Sequence, residues 1–309
     1  MAKNKGFLLV VVGARREPVM LERATLVAKA LELDVFVYAP MAKPLLPRGL
    51  LANTHLFSEG RSRIADIHQG ELDNALNVLR THGVQAEGAV EWQSSIVEGV
   101  LKTVADKAPN IVMTAHHRHK GIAEHILTDD DLNLVRLCPT PLWLVRGRGW
   151  AEDAAIVAAI DPLHHGVSDT LIDDLILTTT TYIAKALHGI PHALHTIPDA
   201  LSVATALSAA FLPEQIDTLQ KEIDAHHASE VYRLTEAHGF DKSRVHLHTQ
   251  KDVVEALAQI AESMRVGLIV LGALSRNPLK HMLLGGTADR ALRKLRVDIL
   301  VVKPPQSER

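Results

Sequence analysis

The sequence of 309 residues lacks several features that would assign it to a specialised class of protein. Its one cysteine, Cys138, excludes an internal disulfide, and no cysteine cluster is present to bind zinc. No apolar run approaches the roughly 18 residues needed to cross a bilayer. The formal net charge of −3 gives no basic field for nucleic acid. We therefore expect a cytoplasmic protein that binds neither membrane nor nucleic acid.

What the chain does have is enough apolar material for a large core. Hydrophobic residues make up 47% and charged residues 22%, which is ordinary for a globular protein. The length is about twice that of one typical domain, so we expect two compact units.

An internal repeat gives the organisation of the chain. The segment 110–146 aligns without a gap onto 267–303 at a constant offset of 157 residues, and each copy reads as apolar strand, polar loop, amphipathic helix and apolar strand. A weaker match extends the repeat over both halves. The glycine and charged residues of GRGWAED interrupt the apolar pattern, which predicts domains at 1–149 and 150–309.

The strands of both halves are short, continuous and rich in Val, Ile and Leu. This composition is typical of strands buried on both faces of a parallel sheet. Their alternation with helices predicts an α/β fold of two tandem doubly wound domains, each with a mainly parallel five-stranded sheet. In such a sheet, ligands bind beyond the carboxyl ends of the strands where the strand order reverses.

The loop after the strand GLIVLG in the second half is suited to an anion. Gly272 ends the strand, and Gly285 and Gly286 precede the helix ADRALRKL. Main-chain amides at a helix start, together with the positive end of the helix dipole, form a site for phosphate. Thr287 adds a hydroxyl donor or caps the helix.

At these residues the sequence resembles the universal stress protein family. ATP-binding members carry a glycine, two residues, a second glycine, nine residues, and then a glycine with a small hydroxyl residue. Gly272 and Gly285 match this pattern, whereas Ser275 stands at the second glycine and Gly286 where serine is common, with Thr287 one position later. The resemblance extends over nearly the whole chain and implies a tandem, two-domain member of the E type with Rossmann-like, adenine nucleotide α-hydrolase-like domains.

The resemblance also implies that the acidic residue ending the first strand contacts the nucleoside. Asp161 occupies that position, and a carboxylate there can accept hydrogen bonds from ribose hydroxyls or an adenine amine. The predicted adenine nucleotide site consists of Asp161, Gly272, Ser275, Gly285, Gly286 and Thr287. The alternative interpretation is that Asp161 caps a turn with Pro162 and that the glycines only shape loops.

The first half has lost these features. The offset replaces the pattern residues by Ala115, Arg118, Thr128 and Asp129, and Gly13 stands in place of the first-strand acid. Asp129 opens a run of three aspartates that would repel a triphosphate and favour the helix start instead. We expect no ATP there. The basic loop 116–120 is interpreted as a solvated loop or as a pocket for a small acidic metabolite.

The function implied by the resemblance is a stress-response regulator that binds ATP, with or without Mg²⁺, in its second domain. No catalytic centre is predicted, so ATP hydrolysis or autophosphorylation is expected to be weak at most. The alternative is a member that binds no nucleotide and works as a small-molecule, zinc or protein-binding module. Zinc is not favoured, because His246 and His248 share a strand face but no third ligand is placed by sequence.

The resemblance further implies an internal pseudo-dimer, in which the strands of PLWLVR and DILVVKP pair across the domain junction. A homodimer of tandem chains is left open.

Overall fold

A computed structural model of the chain describes residues 6–14, 17–43, 55–115, 129–146, 149–163, 167–207, 212–249, 252–273 and 286–304. The chain divides into two compact units, Met1–Gly149 and Trp150–Arg309.

The first unit alternates strands and helices. Its elements are β1 (Phe7–Val11), α1 (Pro18–Ala30), β2 (Asp34–Ala42), α2 (His55–Thr81), β3 (Ala86–Gln93), α3 (Ile96–Lys107), β4 (Ile111–Ala115), α4 (Asp129–Leu137) and β5 (Leu142–Val145). The strands lie in the order β3-β2-β1-β4-β5, and every adjacent pair is parallel. The strand order therefore reverses between β1 and β4.

Among the described residues, the second unit repeats this plan with one extra helix. Its elements are β6 (Ala155–Ala159), α5 (Val167–Ala186), β7 (Ile190–Ile197), α6 (Ala200–Ala206), α7 (Pro213–Ala237), a 3₁₀ turn (Lys242–Arg244), β8 (Val245–Thr249), α8 (Val253–Ser263), β9 (Val266–Gly272), α9 (Gly286–Lys294) and β10 (Asp298–Val302). The order β10-β9-β6-β7-β8 is again parallel throughout, with the reversal between β6 and β9.

The predicted α/β fold with parallel sheets is thus confirmed. The offset of 157 residues relates the ends of β4 and β9 (Ala115 and Gly272), and the first residues of α4 and α9 (Asp129 and Gly286). The strands form because continuous apolar runs are covered by helices. The last four residues of β1 and all five of β10 are buried.

Side chains at the helix starts determine where two of the crossover helices begin. The Ser95 hydroxyl accepts a hydrogen bond from the Glu98 amide at 3.1 Å and caps α3. Asp252 does the same for α8, accepting from the Val254 amide at 2.8 Å. Each cap satisfies an amide that the first helical turn leaves without a partner in the helix.

Candidate functional site

The candidate site of the second unit lies at the carboxyl ends of β6 and β9. These strands are neighbours, with Ala158 opposite Val270, so the chain leaves both at the same edge. Asp161 follows β6, and Gly272 is the last residue of β9. Because the strand order reverses between β6 and β9, this edge is the switch point where doubly wound sheets bind ligands.

The remaining predicted site residues belong to the loop after β9 and to α9. Ser275 and Gly285 lie outside the described residues. Gly286 and Thr287 are the first two residues of α9, although the side chain of Thr287 is not among those described. The structure therefore brings Asp161 and Gly272 to one edge and begins α9 at Gly286.

The carboxylate of Asp161 is largely exposed, whereas its main-chain amide is held by a hydrogen bond. Its side chain is 58% exposed, and its Oδ1 lies 3.8 Å from Nδ1 of His195. Its amide donates to Oδ1 of Asp173 on α5 at 3.0 Å. The carboxylate is thus held at the edge, where it can accept hydrogen bonds from a polar ligand.

Gly272 has a structural reason to be glycine. A Cβ at this position would lie 2.6 Å from Cγ1 of Ile172 and 3.2 Å from Cδ1 of Ile176, both on α5. These distances are shorter than ordinary carbon contacts, so the missing side chain lets α5 pack closely on β9. This finding agrees with the alternative interpretation that the glycine shapes the fold.

Two pairs of histidines lie within the second unit. Nε2 of His195 is 2.7 Å from Nδ1 of His227, and Nδ1 of His192 is 3.0 Å from Nε2 of His246. The rings of both pairs are stacked. The first pair joins β7 to α7 close to Asp161, whereas the second joins β7 to β8.

Burial keeps these imidazoles neutral at neutral pH. Desolvation is the main cause that lowers the pKa of each, and it brings the pKa of His192 to about 4 with help from nearby His246 and Arg244. For His195, a backbone hydrogen bond and the charge of Asp161 oppose this lowering.

Sequence reasoning missed His195 because its partners are distant in the chain. The available signal was a histidine inside an apolar strand, in HALHTI, where a polar side chain must find a partner when buried. His246 was considered as a zinc ligand together with His248, but its Nε2 faces His192 instead. Within the described ranges, no three histidine, cysteine, aspartate or glutamate residues are arranged to hold a metal ion.

The basic residues of α9 are engaged with carboxylates nearby. Arg290 lies 2.5 Å from Asp252 at the start of α8, and Lys294 lies 3.6 Å from Glu255 on the same helix. These ion pairs tie α9 to α8, and they place a charge-assisted bond at the Asp252 cap.

The equivalent edge of the first unit has a different chemistry. Gly13 follows β1, and β4 ends at Ala115, which is 3% exposed. Helix α4 begins with three aspartates, and Asp131 is 4% exposed. Carboxylates at a helix start interact favourably with its dipole, so they occupy the electrostatic role that an anion would otherwise take.

The fold and this edge define a class, the tandem doubly wound α/β proteins. Residues 156–303 match the family model described as the universal stress protein family. Universal stress protein E of Escherichia coli is 26% identical over 231 residues, which covers 72% of this chain and 70% of that protein. The universal stress protein E homolog of Haemophilus influenzae is 22% identical over 253 residues, or 81% and 80% of the two chains. The second unit thus matches the universal stress protein family model, and most of the chain is similar to universal stress proteins of the E type.

Solved structures show the same fold over the full length. A protein of unknown function from Pseudomonas aeruginosa matches with a TM-score of 0.74 at 20% identity, covering 98% of this chain and 94% of its own. A universal stress protein from Archaeoglobus fulgidus matches with a TM-score of 0.62 at 12% identity, covering 96% and 98%. In the part of the chain that the structure describes, no helix is long and apolar enough to cross a membrane.

Proposed function

We propose that the second unit binds ATP or another adenine nucleotide, and that the chain acts as a regulator in stress tolerance without a catalytic centre. The observation that carries this proposal is the position of Asp161. Its largely exposed carboxylate follows β6 at the reversal of strand order, beside the end of β9. This is the edge at which doubly wound sheets bind nucleotides.

The nucleoside and the phosphates are proposed to contact different residues of the site. Asp161 accepts hydrogen bonds from the ribose hydroxyls or the adenine amine. The phosphates meet the amides at the start of α9, with Gly285 and Gly286 allowing close approach and Ser275 and Thr287 adding hydroxyls. Mg²⁺ accompanies the phosphates when ATP is the ligand.

The first unit is proposed not to bind nucleotide in this manner. Gly13 offers no carboxylate to a nucleoside, and Asp129 begins the helix that corresponds to α9. Negative side chains at that helix start would repel a phosphate group. One nucleotide per chain is therefore expected.

Calorimetric titration with Mg-ATP and with AMP tests the proposal on the nucleotide-stripped full chain. A matched pair of variants at the first residue of α9, Gly286→Asp and Gly286→Asn, separates charge from size. The aspartate reproduces what Asp129 supplies in the first unit, and we expect it to weaken binding at least about tenfold through repulsion of the phosphates. The asparagine has nearly the same volume without the charge, so it should bind more tightly than the aspartate variant.

Two results would count against the proposal. Absence of heat, and of thermal stabilisation, at millimolar nucleotide would remove ATP from the function. Two binding events per chain would instead reject the assignment to the second unit alone. Unfolding curves of both variants establish that any loss of binding is not a loss of fold.

The second candidate function is a module that binds no nucleotide. The close approach of Gly272 to Ile172 favours it, because packing alone explains why the last residue of β9 is a glycine. Its ligand would be a small molecule, zinc or a protein. ATP hydrolysis ranks below both candidates. The internal pseudo-dimer, a homodimer of tandem chains and a cytoplasmic location stay predictions.

A further inference from the structure

Two buried side chains hold the peptide unit that joins Ile160 to Asp161. The carbonyl oxygen of Ile160 lies 3.1 Å from Nδ1 of His195 on β7. The amide of Asp161 donates to Oδ1 of Asp173 on α5 at 3.0 Å. The two side chains that bond this peptide unit are 1% and 3% exposed, so these hydrogen bonds are shielded from water.

The hydrogen bonds assign the tautomers of the histidine pair. A carbonyl oxygen only accepts, so Nδ1 of His195 carries the proton. The neutral ring then accepts at Nε2, and Nδ1 of His227, 2.7 Å away, donates to it. Burial lowers the pKa of both rings, which keeps this neutral arrangement in place.

This arrangement limits the directions in which the Asp161 carboxylate can point. Fixing both polar groups of one peptide unit fixes the plane of that unit and the direction of the N–Cα bond that follows, so only the φ rotation of Asp161 is left to set where its Cα–Cβ bond points. The Asp161 side chain departs from the fixed unit toward solvent at the carboxyl edge, where it is 58% exposed.

The first unit offers an internal comparison. The Val12 amide bonds to the Tyr38 carbonyl there, as the Ile160 amide bonds to the Leu194 carbonyl in the second unit. By this register, the residue that corresponds to His195 is Ala39, which has no side-chain donor. The unit that has glycine in place of Asp161 therefore also lacks the histidine.

We infer that His195 and Asp173 are positioning residues that orient Asp161 toward a nucleoside, with His227 holding His195 in the donating tautomer. The inference rests on the proposed function, because it assigns the ligand of the Asp161 carboxylate. Neither residue touches the nucleotide. Both act through the peptide unit that precedes the contacting side chain.

A pair of substitutions at one position tests this role in the full chain. In His195→Asn the side-chain amide occupies the place of Nδ1 and keeps the bond to Ile160. In His195→Gln the amide occupies the place of Nε2 and keeps only the contact with His227. We expect the glutamine variant to bind Mg-ATP about fivefold more weakly than the asparagine variant, in line with one lost hydrogen bond.

Hydrogen exchange at the Asp161 amide gives a readout that needs no ligand. It should be slow in the wild type and in His195→Asn, and faster in His195→Gln, because the freed carbonyl loosens the whole peptide unit. Nitrogen NMR should report protonated Nδ1 in His195 of the wild type. At the second position, Asp173→Asn keeps an acceptor for the amide, whereas Asp173→Leu removes it and should speed the exchange.

The outcomes separate this inference from the function on which it rests. A wild type that binds no nucleotide rejects both the proposed function and the positioning role toward a nucleoside, while the exchange data still show whether the peptide unit is held. A wild type that binds, with equal affinity and equal exchange in the asparagine and glutamine variants, overturns the positioning role and leaves nucleotide binding standing.

Discussion

Substitution of Gly272 by alanine tests whether this glycine serves packing or ligand approach. The added Cβ would lie 2.6 Å from Cγ1 of Ile172, where ordinary carbon contacts are about 3.5–4.0 Å. Cγ1 is close to the main chain of α5, and Ile172 is only 6% exposed, so the helix or the strand must shift. Overpacking of this kind costs about 1–3 kcal/mol. A loss near 2 kcal/mol lowers the Tm of a unit of this size by about 4–8 °C.

A double-mutant cycle with Ile172→Ala identifies the cause. Removing Cγ1 creates a cavity and costs about 2–4 kcal/mol by itself. In that background, Gly272→Ala should cost less than about 0.5 kcal/mol, since the remaining near atom, Cδ1 of Ile176 at 3.2 Å, is the end of a side chain that can shift. Denaturant unfolding measures each step, and calorimetry with Mg-ATP follows binding in parallel. A Gly272→Ala variant with unchanged unfolding but lost nucleotide binding would refute the packing argument and assign the glycine to ligand approach.

Two further predictions concern stability. Below pH 6.5 the unfolded chain protonates His192, whereas the folded chain, in which the pKa of His192 is about 4, does not. The free energy of unfolding should therefore fall from pH 6.5 toward pH 4. For this half-buried group the loss should be about 1 kcal/mol after allowance for solvent screening. Denaturant midpoints across that range check this, and His192→Asn should flatten the curve; equal slopes would contradict it. Ser95→Ala removes the cap that accepts from the Glu98 amide and should cost about 1 kcal/mol in a urea titration, whereas Ser95→Asp should retain most of it.

Much of the fold was predictable because its causes are local or repeated. Continuous apolar strands separated by helices predict parallel sheets, and the repeat offset predicts where α4 and α9 begin, since the same pattern of apolar positions occurs in both halves. Asp161 was predictable as an edge residue because a polar side chain directly after a buried strand must leave the sheet at its carboxyl end.

The parts that escaped prediction depend on contacts between distant segments. Gly272 is approached by Ile172 and Ile176 of α5, which lie 100 and 96 positions earlier in the chain. No local sequence pattern predicts this contact. Likewise, His195 and His227 belong to a strand and a helix separated by 32 residues. A strand histidine is recognisable in sequence as a group that needs partners, but which partners it finds depends on how α7 packs on β7.

The asymmetry between the two units bears on why the histidine pair exists. Burying an imidazole costs desolvation energy, which the depressed pKa of His195 reflects. In the first unit the corresponding strand position is Ala39, and the sheet forms with the same parallel order, so the fold does not require a histidine there. In the second unit, the buried imidazole of His195 bonds to the peptide unit that precedes Asp161, and Asp173 bonds to the same unit. An edge residue that only capped a turn would gain little from that arrangement. A carboxylate that must meet a ligand in a set direction gains more, because a main chain that is already held in place lowers the entropy lost on binding.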